Sequence, residues 1–183
     1  MFATLFVFSS FLHDNELVLS DTLLDDETVS IIFSGDIMGH SPQFNAAYNK
    51  LDGTYNYDIC FRSVKPYIEN ADIAVTNLEV PLAGKPYSGY PYLSSPDAVL
   101  DALKNAGYDV ILTANNHVLD RGKYGLERTL KMITDRKLKH AGSYVNKAQK
   151  DSIYPLMLEK KGIKIALLNY TYGTNGNKLT PPN

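Results

Sequence analysis

YDVILTANNHVLDRG, residues 108–122, is the stretch on which the fold of this chain turns. Val110, Ile111 and Leu112 form a short apolar run, the pattern of a strand buried on both faces. Directly behind it stand Asn115, Asn116, His117 and Asp120, too polar to extend the strand and rich in groups that bind ligands. Immediately upstream, SSPDAVLDALKNAG (94–107) predicts a helix, with Ser95 as N-cap, Pro96 at the first helical position and Val99, Ala102, Leu103 and Ala106 as its apolar positions. Gly107 is its stop. A helix, a strand and a polar exit make the unit from which sheets with covering helices are built.

The same unit recurs outward from this stretch. VSIIFSGD (29–36) is β-branched and apolar until Gly35 breaks it, which puts Asp36 at a strand's carboxyl end. ADIAVTNLEVPLAG (71–84) reads as a strand through Ile73 and Val75, ending in a turn that carries Asn77 and Glu79 before Pro81. Between these two, Phe61, Val64 and Ile68 have helical spacing, but Pro66 interrupts it and predicts a kink or two short helices. Downstream, Leu126, Leu130 and Ile133 mark a helix over 124–137, and HAGSY (140–144) reads as a short strand and loop. The runs 153–159 and 163–169 flank Lys160, Lys161 and Gly162 as a β-hairpin would. YGTNGNKLTPPN (172–183) has no core-forming pattern. The class is α/β, with no internal repeat and no second domain.

A chain of 183 residues with 44% apolar and 21% charged composition can bury one substantial core. Its formal charge of −2 and pI near 6.1 leave no broad basic footprint, so nucleic acid is not an expected partner. Cys60 is the only cysteine, which rules out an internal disulfide or a cysteine-rich zinc cluster; it is expected to be a small buried hydrophobe. FATLFVFSSFL (2–12) is as long as the core of an export signal and too short to span a bilayer. No Lys or Arg precedes it, and the first basic residue is Lys50. It is read as the stub of an export signal or membrane anchor, giving an extracytoplasmic, membrane-associated location; the alternative is an extra element of the domain. The boundaries follow: 1–28 stub and acidic linker, 29–176 α/β domain, 177–183 tail.

In open α/β sheets ligands gather outside the carboxyl ends of the strands. Three such exits here bear Asp36, then Asn77 with Glu79, then Asn116 with His117 and Asp120. Carboxylate and amide oxygens are hard donors suited to Mg²⁺ or Mn²⁺, and an imidazole extends the choice to zinc or iron. A lone Asp or Asn after a strand commonly bonds nearby backbone in a turn or cap, so the recurrence at three exits carries the inference.

Five segments, SGDIMGH (34–40), ADIAVTNLEVPL (71–82), YDVILTANNHVLDRG (108–122), HAGSYVN (140–146) and IALLNYTYGTNG (165–176), resemble in this order the motifs of CapA-type proteins. That is the capsule and poly-γ-glutamate biosynthesis family, whose fold is similar to the calcineurin-like metallophosphoesterases. The resemblance implies a metallophosphoesterase-like sandwich of β-sheet flanked by helices, here without its carboxyl-terminal half. It implies Asp36 as the first metal aspartate, Asn77 and Glu79 as the second motif with Glu79 bridging, and Asn116 as an amide ligand. His117 matches the histidine that stabilises a reacting phosphoryl group or protonates its leaving group. Asp120 either orients His117 through a hydrogen bond or caps the helix that follows.

Two departures weaken the implied site. Met38 stands where phosphoesterases have a histidine, with His40 as the nearest replacement, and the family's later histidine motifs have no counterpart. The remaining histidines are His13 in the stub and His140, read as structural. A divalent metal (Mn, Mg, Zn or Fe) is therefore expected on an incomplete ligand set. The expected function is a CapA-like part in the synthesis or export of an extracellular anionic polymer, with that polymer or its synthase complex as partner. The alternatives are a metal-dependent phosphoesterase with His117 as acid, or an inactive truncated fragment of either.

Overall fold

The computed structural model describes residues 28–178. The apolar run 2–12, His13, the linker up to 27 and the end of the tail from 179 lie outside these residues. Strands β1 (Ile31–Ile37), β2 (Ile73–Leu78), β3 (Val110–Leu112) and β4 (Lys139–Ala141) form one sheet in the order β1-β2-β3-β4, every neighbouring pair parallel. Helices α1 (Ser41–Ala47), α2 (Asp58–Phe61) and α3 (Lys65–Glu69) connect β1 to β2. α4 (Ala98–Asn105) precedes β3, and α5 (Gly122–Asp135) precedes β4. After α6 (Lys147–Ile153), β5 (Leu156–Lys160) and β6 (Ile163–Leu167) make an antiparallel hairpin that is a separate two-stranded sheet.

Alternation along the strands explains the layers. Ala74 and Leu78 of β2 and Ile111 of β3 pack with Leu100, Leu103, Leu126, Leu130 and Ile133 of α4 and α5. Ile73 and Val75, with Val110 and Leu112, point the other way and pack against Leu156, Leu158, Ile165 and Leu167 of the hairpin. The central strands are thus covered on both faces, which is why they read as continuous apolar runs. Each fully buried leucine, such as Leu100 or Leu103, contributes about 1.5–3 kcal/mol. This four-stranded parallel sheet flanked by helices is the α/β arrangement the sequence implies and is consistent with a metallophosphoesterase-like fold.

Several local expectations hold and others are corrected. Pro66 divides its segment into α2 and α3 and sits in the first turn of α3, where a missing N–H costs nothing. The hairpin turns through Lys161 and Gly162 at φ 49° and 76°, the left-handed pair that a tight hairpin demands. Ser95 does not cap α4, which begins at Ala98 with Asp97 in the cap position. Its hydroxyl is instead buried over Gly39, in space that a side chain at 39 would need. Cys60 is exposed rather than buried, because the inward position of α2 goes to Phe61, edge-on to Tyr108 with ring centroids 6.3 Å apart. Residue 153 ends α6 rather than opening β5, and Asn146 caps that helix by accepting from the Gln149 N–H at 2.8 Å.

Asp72 ties the hairpin to the sheet. Its Oδ2 accepts from the Ser30 N–H at 2.9 Å, the Ser30 hydroxyl at 3.1 Å and Lys161 Nζ at 2.9 Å. The Ser30 backbone bond, then Lys161, hold its carboxyl down to about 2, against 3.8 for a free aspartate. The unfolded chain therefore takes up this proton first. The stabilisation is complete above roughly pH 4 and is lost as the pH falls toward 2. Asp72→Asn is expected to flatten this part of the acid limb in urea midpoints measured from pH 2 to 5; parallel limbs for both proteins would refute the assignment.

Candidate functional site

The site starts from an irregularity in β1. Phe33 pairs with Val75 and Asp36 with Asn77, so β1 carries one residue more than β2 over this span. In an unbroken register Gly35 would face Asn77; the bulge moves Asp36 into that place. Buried Thr76 supports the bulge, its hydroxyl donating to the Gly35 carbonyl at 3.1 Å and accepting from Ser34 at 2.7 Å, while the Tyr108 hydroxyl donates to Ser34 at 2.8 Å.

The bulge brings Asp36 beside the second motif. Asn77 Nδ2 donates to Asp36 Oδ1 at 2.8 Å and reaches Glu79 Oε2 at 3.4 Å. The orientation of that amide is fixed from behind. Asn115 Nδ2 donates to Asn77 Oδ1 at 3.1 Å and to the Leu78 carbonyl at 2.9 Å, while Asn115 Oδ1 accepts the His117 N–H at 3.1 Å. Asn77 therefore presents its N–H₂, not its oxygen, to the two carboxylates. Asn115, buried behind the third strand exit, is the joint between second and third motifs.

Glu79 is half-buried and its carboxyl is pushed up to about 7. Burial is the main cause, followed by the hydrogen bond with the Asp36 carboxyl and that group's charge; the field of His117 acts in the opposite direction. Two adjacent carboxyls relieve their repulsion by sharing a proton or by holding a cation. In a carbon-13 titration of the metal-free protein, the Glu79 carboxyl is expected to have a midpoint near 7, and Asp36→Asn to lower it toward the ordinary 4.5. A midpoint that Asp36→Asn leaves in place would contradict the pairing.

The third motif forms the facing side. His117 Nδ1 lies 2.7 Å from Asp120 Oδ2, with both side chains buried. The carboxylate favours the proton on Nδ1 and leaves Nε2 for a ligand. Asp120 Oδ2 also accepts the Leu93 N–H at 2.8 Å. Asp120 thus orients the histidine and does not cap α5, whose cap position is Arg121. Arg121 donates to the carbonyls of Leu93 at 3.1 Å and Tyr92 at 3.0 Å and also meets the Ser88 hydroxyl. Asp120 and Arg121 together fasten the loop around 88–93 across the site as a strap. Exposed Tyr90 and Tyr92, with Pro91, then line a cavity of about 510 Å³ together with Asn116, His117, Asp120 and Asn175.

The six candidate residues therefore fall into two adjoining groups. Asn116, His117 and Asp120 line the cavity, while Asp36, Asn77 and Glu79 form the carboxylate cluster beside it, linked through Asn115. Asn116 is half-exposed and donates to Asn175 Oδ1 at 3.3 Å; Asn175 Nδ2 lies 3.4 Å from His117 Nδ1. His40 lies at the strap, where its Nδ1 accepts from the Tyr90 N–H at 3.4 Å, and Met38 packs against the core. His140 is buried on β4, its Nδ1 without a hydrogen-bond partner, and burial pulls its pKa below the usual imidazole range. Among the described residues no three His, Cys, Asp or Glu side chains converge to hold a metal ion. The donor set is two carboxylates, with the Asn77 oxygen turned away to Asn115 rather than toward a metal and Asn116 in the adjoining cavity, short of the complete set that Mn²⁺, Zn²⁺ or Fe²⁺ takes.

Residues 30–183 match a family model described as bacterial capsule synthesis protein PGA_cap. The chain is 26% identical over 178 residues to the "Capsule biosynthesis protein CapA" of Bacillus anthracis, covering 93% of this chain and 41% of the relative. It is 28% identical over 152 residues to the "PGA biosynthesis protein CapA" of Bacillus subtilis (strain 168), covering 80% of this chain and 38% of the relative. It thus spans about two fifths of the length of these curated relatives.

Proposed function

Because the chain belongs to the bacterial capsule synthesis protein PGA_cap family, we propose that it serves the synthesis or export of an extracellular anionic polymer, a capsule or poly-γ-glutamate. The observation that carries the reading is the meeting of three strand exits: Asp36 hydrogen-bonded to Asn77, Glu79 beside them, and His117 held by Asp120 across the Asn115 joint. Asp36 and Glu79 are the carboxylates that would hold a divalent cation, Asn77 turns its N–H₂ toward them and offers no oxygen, and Asn116 is the remaining amide. The described residues offer two carboxylates only, so no chemical step is assigned to the cation. Asp120 fixes the imidazole so that Nε2 gives or takes a proton, and Tyr90, Pro91 and Tyr92 of the strap line the same cavity. Partners in this reading are the polymer or its synthase complex, at an extracytoplasmic membrane surface. Membrane association rests on the apolar run 2–12, since no helix among the described residues is long and apolar enough to cross a bilayer.

In an encapsulated host, deleting the full-length gene should remove most of the surface-bound anionic polymer. The wild-type gene should restore it, and His117→Ala should not. An unchanged capsule after deletion would end this reading. The His117–Asp120 pair beside two carboxylates also favours a second one, metal-dependent phosphoester hydrolysis. The isolated chain with added Mn²⁺ is expected to leave a generic phosphodiester intact, given its short donor set. Turnover abolished by His117→Ala would transfer the assignment to a phosphoesterase.

A further inference from the structure

A second cavity, of about 560 Å³, opens at the carboxyl ends of β3 and β4 and shares no lining residue with the His117 cavity. Its volume is that of a small-ligand site, and it lies where α/β sheets collect ligands. Tyr144, Tyr154 and Tyr170 contribute aromatic rings to it, successive centroids 6.4 Å apart and nearly perpendicular at 88° and 75°. The Tyr154 and Tyr170 hydroxyls touch each other. From α6 come Lys147, Lys150 and Asp151. Lys147 is ion-paired with Asp151 at 2.5 Å, so these two charges cancel locally.

Lys150 is different. It is in no ion pair among the described residues, and its Nζ rests over the Tyr154 ring, 5.5 Å from the centroid. An exposed cation–π contact is weaker than a charge-assisted hydrogen bond from the same ammonium to a carboxylate. The lysine is thus held at the cavity on a weak partner that an anion would displace. Tyrosine rings offer apolar faces to C–H surfaces and hydroxyls to polar groups at their rims. Ring faces, hydroxyls and one uncommitted positive charge together specify a ligand with a ring-shaped body, hydroxyl groups and a single carboxylate.

We propose that this cavity binds a carboxylate-bearing sugar of the uronic-acid type, its ring against Tyr154 and Tyr170 and its carboxylate on Lys150. The same chemistry is offered by a free sugar acid and by one unit of an acidic polysaccharide. Calorimetric titration of the purified chain with glucuronic acid, with a glucuronate-containing oligosaccharide and with their neutral glucose counterparts tests the site. At least one acidic probe is expected to bind ten-fold or more tightly than its neutral counterpart. Lys150→Gln should remove that preference and Tyr170→Ala should weaken binding of acidic and neutral probes alike. Both side chains are exposed, and circular dichroism will verify that the variants fold. Binding of both acidic probes marks a site for the sugar acid itself, and binding of the oligosaccharide alone marks a polymer subsite. Equal affinity for acidic and neutral probes, no binding of either acidic probe, or a preference untouched by Lys150→Gln would overturn the proposal.

Discussion

Gly142→Ala is expected to lower the stability of the protein by about 3–5 kcal/mol, seen as a large fall in the urea midpoint with little change in slope. Gly142 has φ +115°, where an L side chain strains the backbone by about 1–3 kcal/mol. Space is the larger problem. A Cβ would lie 2.6 Å from the Ala114 nitrogen and 2.8 Å from its Cβ, and would overlap Asn169 Oδ1. That oxygen accepts the N–H groups of Thr113 at 3.1 Å and Ala114 at 2.7 Å, the first two residues beyond β3. Displacing it orphans the Ala114 N–H at about 1–3 kcal/mol if it stays dry, while the Thr113 N–H keeps the Ala141 carbonyl at 2.9 Å. A midpoint within 0.5 kcal/mol of wild type would show that this close approach is not rigid.

Asp120→Ala should have an effect of similar size, about 3–5 kcal/mol, through a different cause. Only 1% of the Asp120 side chain and 6% of the His117 side chain are exposed, so removing the carboxylate strands a buried imidazole N–H. The same change takes the acceptor from the Leu93 N–H and releases one of the two anchors of the strap. Two readouts are expected together: a lower urea midpoint and faster proteolysis around Tyr90 and Tyr92. Asp120→Asn keeps an acceptor for Leu93 but loses the charge, so it should retain more stability while altering the His117 ring resonances. An Asp120→Ala protein with unchanged stability, cleavage and His117 resonances would show that Asp120 neither orients the imidazole nor holds the strap.

What the sequence could reveal of this molecule follows from where periodicity is informative. Val110, Ile111 and Leu112, or Ile73 and Val75, mark buried strands, and the polar residue after such a run must leave the sheet at its carboxyl end. Asp36, Glu79 and His117 were legible on that ground, as was the helix run carrying Leu126, Leu130 and Ile133. Asn115 and Asn116 follow the same strand with the same side chain, and only the path of the turn decides which becomes the buried joint. The extra residue in β1 is equally silent in its composition, although it aligns Asp36 with Asn77. Asn169 and Asn175 come from stretches without a repeating pattern, and Tyr90 and Tyr92 from a loop whose course is set by Asp120 and Arg121. Cys60 and Ser95 depart from their residue types' average preferences because a local demand prevails: Phe61 takes the inward face of α2, and the Ser95 hydroxyl fills the gap over Gly39.

The sequential order of the parallel strands keeps the closures of this fold short. Contacts between neighbouring strands or their exits join residues only 42 positions apart from Ser34 to Thr76, 35 from Ala74 to Asp109 and 28 from Thr113 to Ala141. Such short loops close at modest entropic cost. Each strand of the sheet thus finds its partner in the strand next to it in the chain, the low contact order that favours fast folding. The site is assembled by two closures of the same kind, Asp36 to Asn77 over 41 positions and Asn77 to Asn115 over 38, so all three motifs come together without waiting for distant sequence.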